Sequence, residues 1–275
     1  MNAMSVPEVK LSKGIHLIHA FYDIDRVGWS ELSTAETSTV LLSVSGLVAQ
    51  NSSPSHPKIA TYANIGGKTD IAVIFYAARL DEVGAMQIAF ESCFPAGTLV
   101  RHFTYLSITE LPDYVTSEEE MKQGLIAEKL EPGSEVFEAK LEELKKRHAQ
   151  YEQYRLYPEM ADWEIMGFYP MSKRRQGEDN WYRLEFDVRK KLMAGHARVG
   201  RKFAGRISQL ITGSTGLDDY EWGVTLMAHQ TDAIKEIVYE MRFDDVTARY
   251  GEFGPFYINL RLTPVALWSY LKLNQ

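Results

Sequence analysis

The chain carries a faint internal duplication, and a chain that repeats itself must build its core from two like halves. His16-Leu-Ile-His-Ala-Phe-Tyr22 lines up with Trp163-Glu-Ile-Met-Gly-Phe-Tyr169, 147 residues later. Ile71-Ala-Val-Ile-Phe-Tyr-Ala77 lines up with Trp222-Gly-Val-Thr-Leu-Met-Ala228 at an offset of 151, and Asp81 and Asp232 follow at that same offset. Aspartate is a favoured N-cap, so both are read as helix starts. Ile234, Ile237, Val238 and Met241 then give an apolar stripe at helical spacing.

Each half therefore reads strand, long helix, strand, strand, helix, strand. In the second half these fall at about 163–170, 180–203, 206–213, 221–228, 232–241 and 256–262, and the long helix answers to roughly 31–50 in the first. Gly213-Ser-Thr-Gly216 supplies one turn and Gly251-Glu-Phe-Gly-Pro255 another. This order is the ferredoxin-like motif, an antiparallel sheet with helices on one face. The predicted fold class is α+β: tandem ferredoxin-like repeats forming a dimeric α+β barrel with its helices outside. The predicted organisation is an N-terminal scaffold half at 1–115, a charged helical connector at 116–155 broken by Pro132-Gly133, and a C-terminal half at 156–275 that carries the site.

Composition narrows the function classes. A net charge of −7 argues against a general nucleic-acid binder. No apolar run approaches the ~20 residues of a membrane helix, and no basic-then-apolar leader opens the chain, so a cytoplasmic location is expected. The single cysteine, Cys93, excludes an intramolecular disulfide and a cysteine-based metal site within one chain. Against this acidic background, eleven Lys and Arg residues lie between Lys173 and Arg206. They suit a small anionic ligand, or equally a solvated helix face.

The duplication also locates the chemistry. Where the second half has Tyr169-Pro-Met-Ser-Lys173-Arg-Arg175, the first has Tyr22-Asp-Ile-Asp-Arg26-Val-Gly28. Tyr169 ends an apolar strand, pointing toward the sheet's inner face or rim, and is either a packing residue or a redox-active phenol. Cations near it, Lys173 and Arg155, would lower its proton affinity and hold a substrate carboxylate. No histidine pair has metal-ligand spacing. His196 stands apart among Ala194, Gly195 and Ala197, with room for a large planar ligand. A structural histidine is the competing reading.

These residues carry a resemblance. Asp162-Trp-Glu-Ile-Met-Gly-Phe-Tyr-Pro-Met-Ser-Lys-Arg-Arg175, Gly200-Arg-Lys-Phe203, Ile211-Thr-Gly-Ser214, Asp218-Asp-Tyr-Glu-Trp-Gly223, Tyr239-Glu-Met-Arg-Phe-Asp244 and Ala248-Arg-Tyr-Gly-Glu-Phe-Gly-Pro-Phe256 resemble the tyrosine-type coproheme decarboxylases of the chlorite dismutase-like superfamily. The likeness covers about 151–260. It implies a homopentamer that converts iron coproporphyrin III (coproheme) to haem b, with hydrogen peroxide as oxidant and two propionates lost as carbon dioxide. A transient contact with coproporphyrin ferrochelatase is also implied.

By the same resemblance His196 is the proximal iron ligand and Tyr169 the radical-forming tyrosine, with Lys173 beside the reacting propionates. Arg155, Met171, Arg201, Arg242 and Thr247 line the substrate pocket, and Gln209 takes the distal place. Chlorite dismutases carry arginine where Gln209 stands, and Thr247 replaces a more usual serine while keeping the hydroxyl. No carboxylate is read onto His196; a weak neutral-imidazole bond would suit a substrate that must turn between two decarboxylations. A haem or coproheme carrier or sensor without chemistry is the alternative.

Overall fold

The computed structural model describes residues 6–274. The first half runs β1 (His16–Ile24), α1 (Arg26–Ser30), α2 (Thr34–Gln50), β2 (Lys58–Ile65), β3 (Ile71–Ala77), α3 (Leu80–Glu91) and β4 (Leu99–Thr109). Two helices follow, α4 (Glu118–Ala127) and α5 (Glu135–Leu156), parted around Pro132-Gly133. The second half runs β5 (Ile165–Lys173), α6 (Phe186–Arg201), β6 (Ile207–Gly213), β7 (Trp222–Ala228), α7 (Thr231–Met241), α8 (Asp245–Tyr250), β8 (Gly251–Phe253), β9 (Tyr257–Arg261) and α9 (Pro264–Tyr270).

Strands of the first half lie in the order β4-β1-β3-β2 and those of the second in the order β9-β5-β7-β6, so each half shows the same arrangement of its own first to fourth strands. Antiparallel pairing of β4 with β6 and of β2 with β9 joins the halves at both edges and closes an eight-stranded ring. Closure removes the exposed edges that two separate sheets would present. The fold class read from the duplication is the observed one.

Two details differ from that reading. Gly251–Phe253 is not a bare turn but strand β8, which pairs with the end of β5 as Met171↔Phe253 and Lys173↔Gly251. The N-caps of α3 and α7 are Arg79 and Gln230 rather than the aspartates. Asp81 and Asp232 instead sit in the first helical turn, where a carboxylate still favours the positive end of the helix dipole.

Side-chain alternation sorts each strand between lumen and helices. On β1, Leu17 and Phe21 enter the lumen while Ile18, Ala20 and Tyr22 face the helices. On β5, Met166 and Phe168 enter the lumen and Tyr169 and Met171 face the helices. The lumen is filled by rings: Phe168 stacks on His19 at 4.2 Å and Tyr257 on Phe21 at 4.0 Å. His19 is fully buried, with Nε2 2.9 Å from the Thr225 hydroxyl, and burial pushes its proton affinity down to about 3. It is a neutral packing residue.

The first half is sealed from far along the chain. Thr263 caps α9, with Pro264 in its first turn, and α9 places fully buried Trp268 against Trp29 and Phe94 at 6.2 and 5.8 Å. Trp268→Ala is expected to lower stability by about 3–5 kcal/mol, the usual cost of emptying so large a buried site. Urea unfolding checks it, and a loss below about 1 kcal/mol would mean that α9 is a dispensable cover.

The connector also has a structural task. Strand β6 meets β4 only at Thr212 and Gly213, which leaves the outward-pointing carbonyls of Gln209 and Ile211 without a partner strand on that side. The end of α5 covers this edge: the Tyr154 hydroxyl donates to Gln209 O at 3.4 Å and Arg155 Nη2 to Ile211 O at 3.4 Å. Ser134 caps α5, and Ser117 with Glu120 forms a capping box on α4.

Candidate functional site

The two long helices of the duplication are docked differently. Helix α2 buries Thr37, Val40 and Val44 in the first-half core. Its counterpart α6, with sixteen residues, buries none, and its main neighbours are α7 and α8 rather than a strand. Across from it, the helix-facing sides of β5, β6 and β7 present Tyr169, Met171, Ile211, Val224 and Leu226. Gln209 points the same way, since a Cβ on Gly200 of α6 would lie 3.4 Å from its Nε2.

His196 is fixed on α6 by a group the sequence reading did not assign. Its Nδ1 lies 3.0 Å from Asp244 Oδ2, in the turn between α7 and α8. The same carboxylate accepts the Thr247 backbone N–H and the Thr247 hydroxyl, each at 3.0 Å. Burial would raise the Asp244 carboxyl, but the His196 and Thr247 hydrogen bonds outweigh it and hold the carboxyl below its ordinary range. An ionised Asp244 favours the tautomer with the proton on Nδ1, which leaves the Nε2 lone pair outward. Nε2 has no protein partner among the described residues. The expectation of a histidine without a carboxylate is therefore corrected, and Thr247 serves Asp244 through its hydroxyl.

Lys173 is nearly as buried as the core, 7 % exposed, with its ammonium 5.1 Å from the centre of the Trp181 ring. Among the described residues no carboxylate lies within 4.0 Å of it. Burial lowers its proton affinity to about 8, while Asp244 and Glu221 pull the other way and only partly succeed. The unfolded chain holds this proton up to the ordinary 10.5, so the penalty is full below about pH 8 and fades as pH climbs toward 10.5. Lys173→Met is expected to stabilise the protein at neutral pH by about 1–3 kcal/mol, and the gain should disappear above about pH 10. Chemical denaturation at the two pH values checks it; a destabilised variant at pH 7 would show that Asp244 and Glu221 need the ammonium more than burial resists it.

Tyr169 faces the helices, not the lumen. Its ring stacks on Phe256 at 4.4 Å, Phe253 lies at 5.7 Å, and the Arg242 guanidinium sits 4.0 Å above the Phe253 ring. Burial raises the proton affinity of the phenol well above its ordinary value, and Arg242 opposes this without reversing it. The expected lowering by nearby cations is thus overturned: Tyr169 is a neutral phenol, and an electron can leave it only together with its proton.

The remaining residues divide. Met171 lies in the Tyr169 cluster, and Gln209 reaches toward α6. Arg155 stands at the β4–β6 seam, with Nη2 shared between Glu110 O and Ile211 O and with Nε buried and unpartnered. Arg201 is exposed at the end of α6. Much of the local basicity is surface pairing: Lys190 meets Glu120, Lys202 meets Glu240 and Arg206 meets Glu236. Such exposed pairs contribute little to stability.

The fold has counterparts among solved structures. The chlorite dismutase family profile matches residues 37–262. This chain belongs to the chlorite dismutase family. A heme-binding protein from Thermus thermophilus is 33 % identical, with 97 % of this chain and 98 % of that one covered at a TM-score of 0.76. A variant chlorite dismutase from Candidatus Nitrospira defluvii is 18 % identical over 96 % and 97 % of the two chains, with a TM-score of 0.69. The complex of that organism's chlorite dismutase with imidazole is 16 % identical over 96 % and 97 %, at 0.70. The last two likenesses speak for the fold alone. Among the described residues no helix is long and apolar enough to cross a membrane.

Proposed function

We propose that this family member binds iron coproporphyrin III between α6 and the β5–β6–β7 sheet and oxidatively decarboxylates two of its propionates to vinyl groups, giving haem b. The observation that carries the proposal is the placement of a carboxylate-held imidazole, His196, beside a sheet face that bears a buried phenol, Tyr169, and a buried ammonium, Lys173. The residues fit such a substrate. Nε2 of His196 is left without a protein partner among the described residues and could take iron, and none of the α6 side chains is fully buried. The buried, unpartnered Nε of Arg155 and the ammonium of Lys173 are placed to receive carboxylates.

With hydrogen peroxide as oxidant, each propionic acid side chain and one peroxide give one vinyl group, one carbon dioxide and two waters. The iron of the bound substrate would activate the peroxide, which supplies the oxidising equivalents. Tyr169 gives up a proton and an electron and then takes a hydrogen atom from the propionate β-carbon; the second electron would pass to the bound iron as carbon dioxide leaves, and Lys173 holds the carboxylate until then. Its burial keeps water from competing for that carboxylate.

The heme-binding relative favours one second reading, a carrier without chemistry. Protein, coproheme and peroxide are mixed and the porphyrins resolved by mass. Stepwise loss of carbon dioxide and two hydrogens at two positions is the expected result. A shifted Soret band followed by bleaching, with no vinyl product, would leave only the carrier.

A further inference from the structure

The first half, read as scaffold, delivers a carboxyl to this site. Ile207, Gln209, Ile211 and Gly213 share one face of β6, the face on which Ile207 packs in the Tyr169 cluster and Gln209 reaches toward α6. A Cβ on Gly213 would point to that face, and the space it would need is taken by the carboxyl of Glu110, well inside contact distance. Glu110 follows β4, the last strand of the first half. Trp222, directly opposite Gly213 on β7 and opposite Met171 on β5, has its indole near enough to favour the ionised form of this carboxyl. Glu110 thus lies on the sheet face that carries Met171 and Lys173, half-buried at the seam between the halves.

Its charged neighbours are few. Asp113 lies on the same loop, Arg155 comes from α5, Tyr105 comes from β4, and β7 adds the Trp222 indole. Burial and Asp113 favour the protonated carboxyl, whereas Trp222 and Arg155 favour the ionised one, and burial prevails. A polyanionic ligand laid on this face would finish burying Glu110, bring negative charge beside it and draw Arg155 toward its own carboxylates. All three changes disfavour the ionised form.

We infer that Glu110 takes up a proton when a porphyrin polycarboxylate binds, so that the first half couples binding to pH. The inference rests on the porphyrin reading above. The carboxylate becomes a carboxylic acid, the proton comes from solvent, and the acid then donates a hydrogen bond where an ionised group would repel the ligand.

Calorimetric titration of iron-free coproporphyrin III at pH 7, in two buffers of different ionisation enthalpy, counts the protons taken up. Wild type is expected to take up more than Glu110→Gln by about half a proton per porphyrin, and its affinity should fall more steeply above pH 7, by up to about tenfold per pH unit. Lys173 and His196 contribute equally to both proteins and cancel in the difference. Gly213→Ala, whose methyl displaces the same carboxyl, should shrink the uptake while the protein stays folded. Binding by both wild type and Glu110→Gln with equal proton uptake would overturn the inference and leave the porphyrin reading standing. No binding by either protein, seen also as an unshifted Soret band with coproheme, would overturn that reading and this one together.

Discussion

Tyr169→Phe is expected to bind coproheme as wild type does and to make no haem b. The substitution keeps the ring that stacks on Phe256 and removes only the oxygen, so packing and the site's shape persist. A phenylalanine ring cannot lose a proton and an electron at any potential the reaction reaches. The expected loss is therefore close to the whole rate of vinyl formation, at least about 10³-fold, with an affinity change of less than about threefold. Porphyrin chromatography after single turnover, beside a Soret titration, reads both numbers. Undiminished vinyl formation would assign the hydrogen abstraction to another residue.

His196→Ala should erase the coordination spectrum. With imidazole gone, the Soret and charge-transfer bands of added coproheme are expected to resemble those of the free compound, and affinity should fall by at least about tenfold. Asp244→Asn is the finer test. An amide can still accept a hydrogen bond from Nδ1 but carries no charge, so the ring stays in place while its electron donation weakens. The iron–histidine stretching frequency should fall in this variant and the reduction potential should rise. An Asp244→Asn protein with the wild-type frequency would make Asp244 a cap for α8 and nothing more.

How much of this was legible in the sequence depends on how far apart the cooperating residues lie. The alternation within each strand and the offset between His16–Tyr22 and Trp163–Tyr169 were enough to predict the repeated half, because both are local patterns read twice. Tyr169 and Lys173 lie four residues apart on one strand, and strand periodicity puts them on one face without further information. Asp244 stands 48 residues from His196 and Glu110 more than 100 from Gly213, so only the folded chain could bring either pair together. A signal for Asp244 was present all the same. An aspartate three residues before a threonine at a helix start is a cap, and a capping carboxylate has a second oxygen to offer a neighbour.

The errors have a common physical origin. Placing cations near Tyr169 predicted a more acidic phenol, but the sequence does not show burial, and burial is the larger influence. The eleven basic residues suggested a pocket rich in positive charge, yet several are spent on surface glutamates that lie dozens of residues away, such as Glu120 and Glu236. Arg155 was read as a substrate ligand, and the structure shows it guarding a strand edge, a need that arises from the short β4–β6 seam.

The docking of α9 on Trp29 and Phe94 bears on how this protein emerges from the ribosome. The greasy side of the first half is laid down well before the helix that shelters it, which follows about 170 residues after Phe94. Until residues 264–273 leave the exit tunnel, those indole and phenyl surfaces stay open to solvent and to neighbouring nascent chains. Chaperone capture is expected to persist until α9 has emerged and to end abruptly once Trp268 is free to insert.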